Sequence, residues 1–159
     1  MDVRLCRLLS RLHLLHRLRG CGGGEEMSPG ALGRYSELVA ASWLRSRGHR
    51  ILRTNWRWSA RGEIDIVSRE GDTLVFGEVK CTRCAANGAP LYRVDRDKRE
   101  RLRLGARDWL HLLGRSVPTR FDIIEVFLYP DARPKLRLHR HAFGMSEGRP
   151  AGHDVTIYH

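Results

Sequence analysis

Residues 62–80 constrain the fold more than any other part of the chain. They contain two runs of β-forming residues separated by a polar break that includes a glycine. This pattern predicts an antiparallel hairpin, and a two-residue loop at Glu70-Gly71 sets its register. In that register Asp65 faces Phe76, and successive side chains point to opposite faces of the hairpin.

This alternation gives the hairpin one apolar face and one polar face. The apolar face is expected to join the core and has Ile64, Ile66, Val75 and Val79. The polar face has Glu63, Asp65, Glu78 and Lys80. Asp65 and Glu78 are predicted to be diagonal neighbours with Cβ atoms about 7–8 Å apart, close enough for both carboxylates to bind one cation. Carboxylate oxygens with room for water suit Mg²⁺ or Mn²⁺. The alternative is a solvated strand face whose acids pair with Arg61 and Lys80.

The spacing of these polar residues resembles a known nuclease signature. Asp65, followed across the hairpin by Glu78-Val79-Lys80, is similar to the Asp…Glu-x-Lys motif of the restriction-endonuclease-like superfamily. A wider string, with Asn55, GEIDI at 62–66 and FGEVK at 76–80, resembles the YraN-like family of predicted endonucleases, which is similar to archaeal Holliday-junction resolvases. The likeness extends from about residue 33 to about residue 143. Ile64 stands where many superfamily members have proline, but this form fits the YraN-like family.

The resemblance implies a metal-dependent endonuclease that hydrolyses phosphodiester bonds in DNA, including branched, repair or recombination intermediates. It implies that Asp65 and Glu78 hold Mg²⁺ (or Mn²⁺), that Lys80 is catalytic, and that an acid on the first helix, Glu37, supports the metal. Superfamily members that cut both strands often dimerise, so the resemblance also raises the prospect of a homodimer. DNA versus RNA and branched versus linear substrates stay open at this point.

Periodicity and capping residues outside the hairpin predict two helices and three further strands. The ranges are a helix at Gly30–Ser46, a strand at His49–Trp58, a helix at Val94–Leu113, and strands at Arg120–Tyr129 and Leu136–Arg140. With the hairpin, the order is α-β-β-β-α-β-β. Together with the resemblance, this order predicts one α/β, restriction-endonuclease-like domain at residues 27–143, with a mixed sheet of about five strands flanked by helices.

The charge of the chain indicates an anionic partner. Its formal net charge is +11, and only three of the 29 basic residues are lysines. Nucleic acid is the commonest partner for so basic a chain, with DNA favoured by the resemblance, although charge alone does not separate DNA from RNA or an acidic membrane. Because arginine occupies almost every other basic position, Lys80 and Lys98 mark places where a compact ammonium is needed.

Several side chains near the hairpin are candidates for supporting or binding roles. Glu37 lies on the helix face expected to pack, so it needs a metal or a partner such as Arg34 or Arg45. Candidates for nucleic-acid binding are Lys98, Arg83 and Arg57. Lys98 is expected to reach the edge of the site or to extend past the core boundary, and Arg83 is expected on a loop from Cys81 to Leu91.

The aromatic and histidine residues have mainly structural interpretations. Trp56 and Trp58 lie beside arginines that suit nucleic-acid stacking, but large aromatics in a strand are more often core, and core is the interpretation favoured here. His139 and His141 lack metal-ligand spacing and are expected on the surface. The four cysteines do not form a zinc pattern, so reduced thiols and a cytoplasmic location are expected.

The two ends of the chain are predicted to lie outside the nuclease-like domain. Residues 1–26 form a basic amphipathic extension and a Gly-rich linker, which we expect to be dispensable for activity, and residues 144–159 form a loose tail. No apolar run is long enough to span a bilayer. The alternatives to a nuclease are a non-catalytic nucleic-acid-binding module with the same fold and a membrane-surface or scaffold protein led by residues 1–19.

Overall fold

The computed structural model describes residues 27–58, 62–83, 94–129 and 132–146, and the backbone of residues 154–158. The elements in order are α1 (Pro29–Ser46), β1 (Arg50–Trp56), β2 (Ile64–Glu70), β3 (Thr73–Arg83), α2 (Arg96–Leu113), β4 (Thr119–Leu128), β5 (Lys135–Phe143) and β6 (Asp154–Tyr158). The extension at 1–26 and most of the loop predicted after β3 lie outside the described residues.

The strands form one mixed sheet in the order β1-β2-β3-β4-β5-β6. All neighbours are antiparallel except β3 and β4, which are parallel and are separated in sequence by α2. This confirms the predicted α/β fold and its element order through β5. The loose tail expected at 144–159 is corrected for residues 154–158, which pair with β5 as a sixth strand.

The hairpin of β2 and β3 forms as predicted, but its register differs. Glu70 pairs with Thr73, so the two loop residues are Gly71 and Asp72 rather than Glu70 and Gly71. Gly71 has a φ of +55°, which suits glycine at the first position of a tight hairpin turn. If this register continued past the last paired residues, Glu78 rather than Phe76 would lie across from Asp65.

Helix α1 covers one face of the sheet. It begins at an N-cap, Ser28, whose side chain accepts a hydrogen bond from the N–H of Ala31, and Pro29 occupies its first turn. Its buried side packs on sheet residues to form the α1-side core, which contains Tyr35, Ala40, Ala41, Leu44, Ile66, Ile124, Val126, Leu128, Leu136 and Leu138.

Helix α2 covers the opposite face. Asp95 caps its start, and Gly114, with a φ of +66°, ends it. Its buried side helps to form the α2-side core, which contains Ile64, Val67, Leu74, Phe76, Val94, Leu102, Ala106, Phe121, Ile123 and Phe143. The prediction of a single core face is therefore wrong, and Ile64 and Ile66 belong to different cores.

A pair of glycines lets the start of β2 lie directly on α2. A Cβ added at Gly62 would lie 2.5 Å from the backbone nitrogen of Gly105, and one added at Gly105 would lie 3.1 Å from the Ile64 side chain. These contacts bring the segment that precedes Asp65 against the helix that carries Lys98. Among the described residues, no helix is both long and apolar enough to cross a membrane.

Candidate active site

The two acids of the predicted signature lie where the pairing of β2 with β3 ends. The last paired residues are Ile66 and Gly77. Beyond these residues a side chain replaces the backbone acceptor: Oδ2 of Asp65 accepts a hydrogen bond of 2.7 Å from the N–H of Val79. Asp65 is 9% exposed and Glu78 is 2% exposed. The hairpin therefore holds both carboxylates at the same end of the strand pair, largely out of solvent.

The buried carboxylates make the site electrostatically favourable for a cation. The pKa of Asp65 is raised to about 7, mainly by burial and also by the nearby carboxylates of Glu78 and Glu37, while the Val79 N–H and the Lys98 ammonium oppose the shift. Such a shift is expected where carboxylates share a poorly solvated position. The Asp65 carboxyl group is thus poised between its two protonation states near neutral pH.

Two lysines converge on Glu78. Lys80 Nζ lies 2.7 Å from Oε1 of Glu78, and Lys98 Nζ lies 2.9 Å from Oε2. Lys80 comes from the same strand, whereas Lys98 comes from the first turn of α2. The Lys98 side chain is only 17% exposed and lies inside the acidic site.

Glu37 lies at the border of this site. Its Oε2 accepts a hydrogen bond of 2.7 Å from Nδ2 of Asn55, so it is held by an amide on β1 rather than by Arg34 or Arg45. Asn55 has a φ of +52°, a conformation that asparagine tolerates better than most residues. The charge of Glu37 contributes a small part of the rise in the pKa of Asp65.

The arginines predicted to bind nucleic acid have separate positions. Arg57 is highly exposed and forms an ion pair with Glu63 of the predicted polar face. Arg83 ends β3 and donates a hydrogen bond to the carbonyl oxygen of Met27 at 2.8 Å, so the expected loop position is corrected to a strand end. Arg57 is thus linked to the acidic site, while Arg83 lies beside the start of α1.

Three polar residues missed by the sequence analysis extend the site across β4 and β5. Parallel pairing sets Glu125 beside Lys80, and Glu125 is fully buried. Its Oε2 lies 2.6 Å from Nε2 of His139 and 3.3 Å from Nη1 of Arg137. The expectation that His139 is a surface residue is wrong, since its side chain is 13% exposed. The available signal was an acid within a mostly apolar strand, because a buried charge needs a partner.

The two tryptophans of the first strand differ in their environment. Trp56 packs against the α2-side core, as predicted. Trp58 is 63% exposed, so the prediction that it lies in the core is wrong. Trp58 lies just beyond the end of β1, where no helix or strand covers it in the described part of the chain.

The carboxylates suit a metal that keeps most of its ligands as water or substrate oxygens. Among the described residues, no group of three or more His, Cys, Asp and Glu side chains is arranged to hold a metal ion. Mg²⁺, however, is often bound by only one or two carboxylates together with water and substrate phosphates. Oε2 of Glu78 is buried and lacks a hydrogen bond, although the Lys98 ammonium lies 2.9 Å from it. Asp65 and Glu78 therefore fit Mg²⁺ or Mn²⁺ as a two-carboxylate set.

Comparison with known proteins gives consistent matches over most of the chain. The model of the uncharacterised protein family UPF0102 matches residues 36–126, which include both acids and both lysines of the site. A UPF0102 protein of Streptomyces coelicolor is 42% identical over 130 residues, 80% of this chain and 98% of the relative. One from Anaeromyxobacter dehalogenans is 40% identical over 137 residues, 86% of this chain and 99% of the relative. One from Rhodococcus jostii is 40% identical over 114 residues, 71% and 96% of the two chains.

Proposed function

This chain belongs to the uncharacterised protein family UPF0102, and we propose that it is a divalent-metal-dependent nuclease that hydrolyses phosphodiester bonds in DNA. The observation that carries the proposal is the meeting of two buried carboxylates and two ammonium groups at the end of the β2–β3 pairing. The net charge of +11 supports an extended polyanion as the substrate. A role in DNA repair or recombination, in the cytoplasm, is part of the same proposal.

Asp65 and Glu78 would hold the metal ion. The hydrogen bond from Val79 N–H fixes the orientation of the Asp65 carboxylate, and burial keeps both acids from being fully hydrated. Bound Mg²⁺ or Mn²⁺ would polarise the scissile phosphate and lower the pKa of a bound water. Glu37, held by Asn55, would position a water molecule at the border of the site.

Lys80 would stabilise charge in the transition state. Its ammonium contacts Glu78 and its side chain is 27% exposed, so it borders both the acids and the solvent through which a phosphate would arrive. An ammonium in this place offsets negative charge that accumulates on the phosphoryl oxygens. A general-base role is less suitable, because the neighbouring carboxylate favours the charged form of the lysine.

The test is a cleavage assay on single-stranded, duplex and branched DNA with Mg²⁺ or Mn²⁺. Asp65→Asn retains an oxygen for the Val79 N–H, and Glu78→Gln retains the side-chain shape, but each removes one charge. Several kcal/mol of metal-dependent stabilisation of the transition state would be lost, so we expect the cleavage rate to fall by about 10²-fold or more. Asp72→Asn is the control, because Asp72 is an exposed acid of the same hairpin. Equal cleavage by all of these variants would refute the proposal.

A non-catalytic nucleic-acid-binding module is the second candidate function. It is favoured by the ammonium groups that face both oxygens of Glu78, since they already compensate its charge without a metal. This function predicts salt-dependent DNA binding that Glu78→Gln does not abolish, with no cleavage of any DNA by the wild type. Calorimetry that shows no heat of Mg²⁺ binding, with or without DNA, would favour the module over the nuclease.

A further inference from the structure

Trp58 is the solvent-exposed end of a stack of two tryptophan rings whose other end packs on α2. Its ring lies nearly parallel to that of Trp56, with an interplanar angle of 13° and centroids 6.1 Å apart. Trp56 in turn contacts the Trp109 ring edge-on at 4.7 Å and donates a hydrogen bond from Nε1 to the carbonyl oxygen of Gly105. The inner end of the stack is thus fixed on α2, while Trp58 is 63% exposed.

This stack lies beside the candidate active site. Trp56 pairs across the sheet with Ile64, the residue that precedes Asp65. Arg57, between the two tryptophans, forms an ion pair with Glu63, and its charge interacts with those of Asp65 and Glu37. The Arg57 side chain is 67% exposed. A cation suited to a phosphate and a ring suited to a base therefore follow one another at the edge of the acidic site.

We propose that Trp58 is a stacking platform for an unpaired nucleobase, and that the site acts on single-stranded or branched nucleic acid in preference to continuous duplex. Bases inside a duplex are stacked on both faces, whereas an unpaired base can be splayed out onto an exposed aromatic ring. The net positive charge of the chain would hold the strand through its phosphates without regard to sequence. The statement about cleavage rests on the proposed function, but the stacking itself does not.

The experiment measures binding in EDTA, so that its result does not depend on cleavage. The wild type, Trp58→Ala and Trp58→Phe are titrated with oligothymidine, with an abasic oligonucleotide of equal length, and with a duplex. Loss of one base–aromatic stack is expected to weaken oligothymidine binding by roughly 5- to 150-fold in Trp58→Ala. Trp58→Phe should restore part of the affinity, and affinity for the abasic strand should be equal in all three proteins.

Leu112→Ala is the matched control, because Leu112 is also a large exposed apolar residue, at 49%, on the last turn of α2. It should leave all affinities unchanged. If Trp58→Ala lost the same affinity for all three ligands, the proposal would be overturned. It would also be overturned if Trp58→Ala converted a dimer to a monomer with no change in base preference, since a second copy of the chain would then cover the ring. If the acid variants cleave normally but the base preference depends on Trp58, the nuclease proposal fails and the stacking platform stands.

Discussion

At the scale of single residues, the site combines an excess of buried acid with lysines that partly compensate it. Asp65 is held by a backbone N–H, and Glu78 by two ammonium groups from different elements. Burial penalises the charge of Asp65 and the nearby Glu78 carboxylate adds to the penalty, so the charged form of Asp65 is unfavourable without another cation. The same residues that give the site its chemistry therefore lower the stability of the protein around it.

A second buried polar cluster, at the other end of β2, predicts how stability depends on pH. His49 is 4% exposed, its Nδ1 lies 3.1 Å from the Ser68 hydroxyl, and its Nε2 lies 3.4 Å from Glu70. Burial lowers the pKa of His49, and the charges of Arg120 and Arg140 lower it further, against the opposing effects of Glu70 and Asp122. The folded protein thus prefers the neutral imidazole.

In the unfolded chain His49 takes up a proton near its ordinary pKa of about 6.5, whereas in the folded protein it does so only at lower pH. Acidification from pH 7 through this window is therefore expected to lower the free energy of unfolding. His49→Gln should lack this part of the pH dependence, while groups remote from His49, such as Asp65, contribute equally to both proteins. Urea unfolding at several pH values measures the difference, and parallel curves for the two proteins would contradict the prediction.

At the scale of elements, the sequence was enough to predict the hairpin but not which two residues form its turn. The β-forming runs on either side of residues 69–72 were sufficient to predict two strands. The loop pair depended on which residues close the turn, and in the structure Arg69 donates hydrogen bonds to the carbonyl oxygen of Gly71 and the carboxylate of Asp72 in the observed turn. Because the register moved by two residues, the paired residues from Ile66 to Glu70 point to the same faces as predicted, and Asp65 and Glu78 still lie at one end of the strand pair.

Two of the glycines are expected to respond oppositely to Gly→Ala substitution. At Gly62 the new methyl group would collide with the backbone of α2, which cannot move away as a flexible side chain can, so we expect a loss of about 1–3 kcal/mol. At Gly33, inside α1, a Cβ meets nothing within 4 Å, and the substitution should stabilise the helix by about 0.5–1 kcal/mol. Thermal unfolding of the two variants shows whether each substitution raises or lowers the stability of the protein. A stabilised Gly62→Ala would show that the approach to α2 is not tight.

At the scale of the whole molecule, the sequence predicted the layers but not the meeting of distant elements. Element order and strand composition were enough to predict a mixed sheet flanked by helices. The convergence of Lys98 on Glu78 depends on where the first turn of α2 lies against the sheet, which periodicity does not specify. The position of Glu125 beside Lys80 depends on the parallel register of β3 and β4, and a pattern within one strand contains no information on it.

Met27 is the first residue that the structure describes, and its contacts lead to a prediction about a protein that lacks residues 1–26. Met27 packs against the α1-side core, and its carbonyl oxygen accepts a hydrogen bond from Arg83. A protein that starts at Met27 keeps these contacts, so we expect its Tm and the cooperativity of its unfolding to equal those of the full chain. A protein that starts at residue 33 loses Met27, the Ser28 cap and the first turn of α1, and should have a lower Tm, since a cap alone contributes about 1 kcal/mol. Calorimetry of the three proteins tests this, and a lower Tm in the first truncation would mean that residues 1–26 pack against the domain.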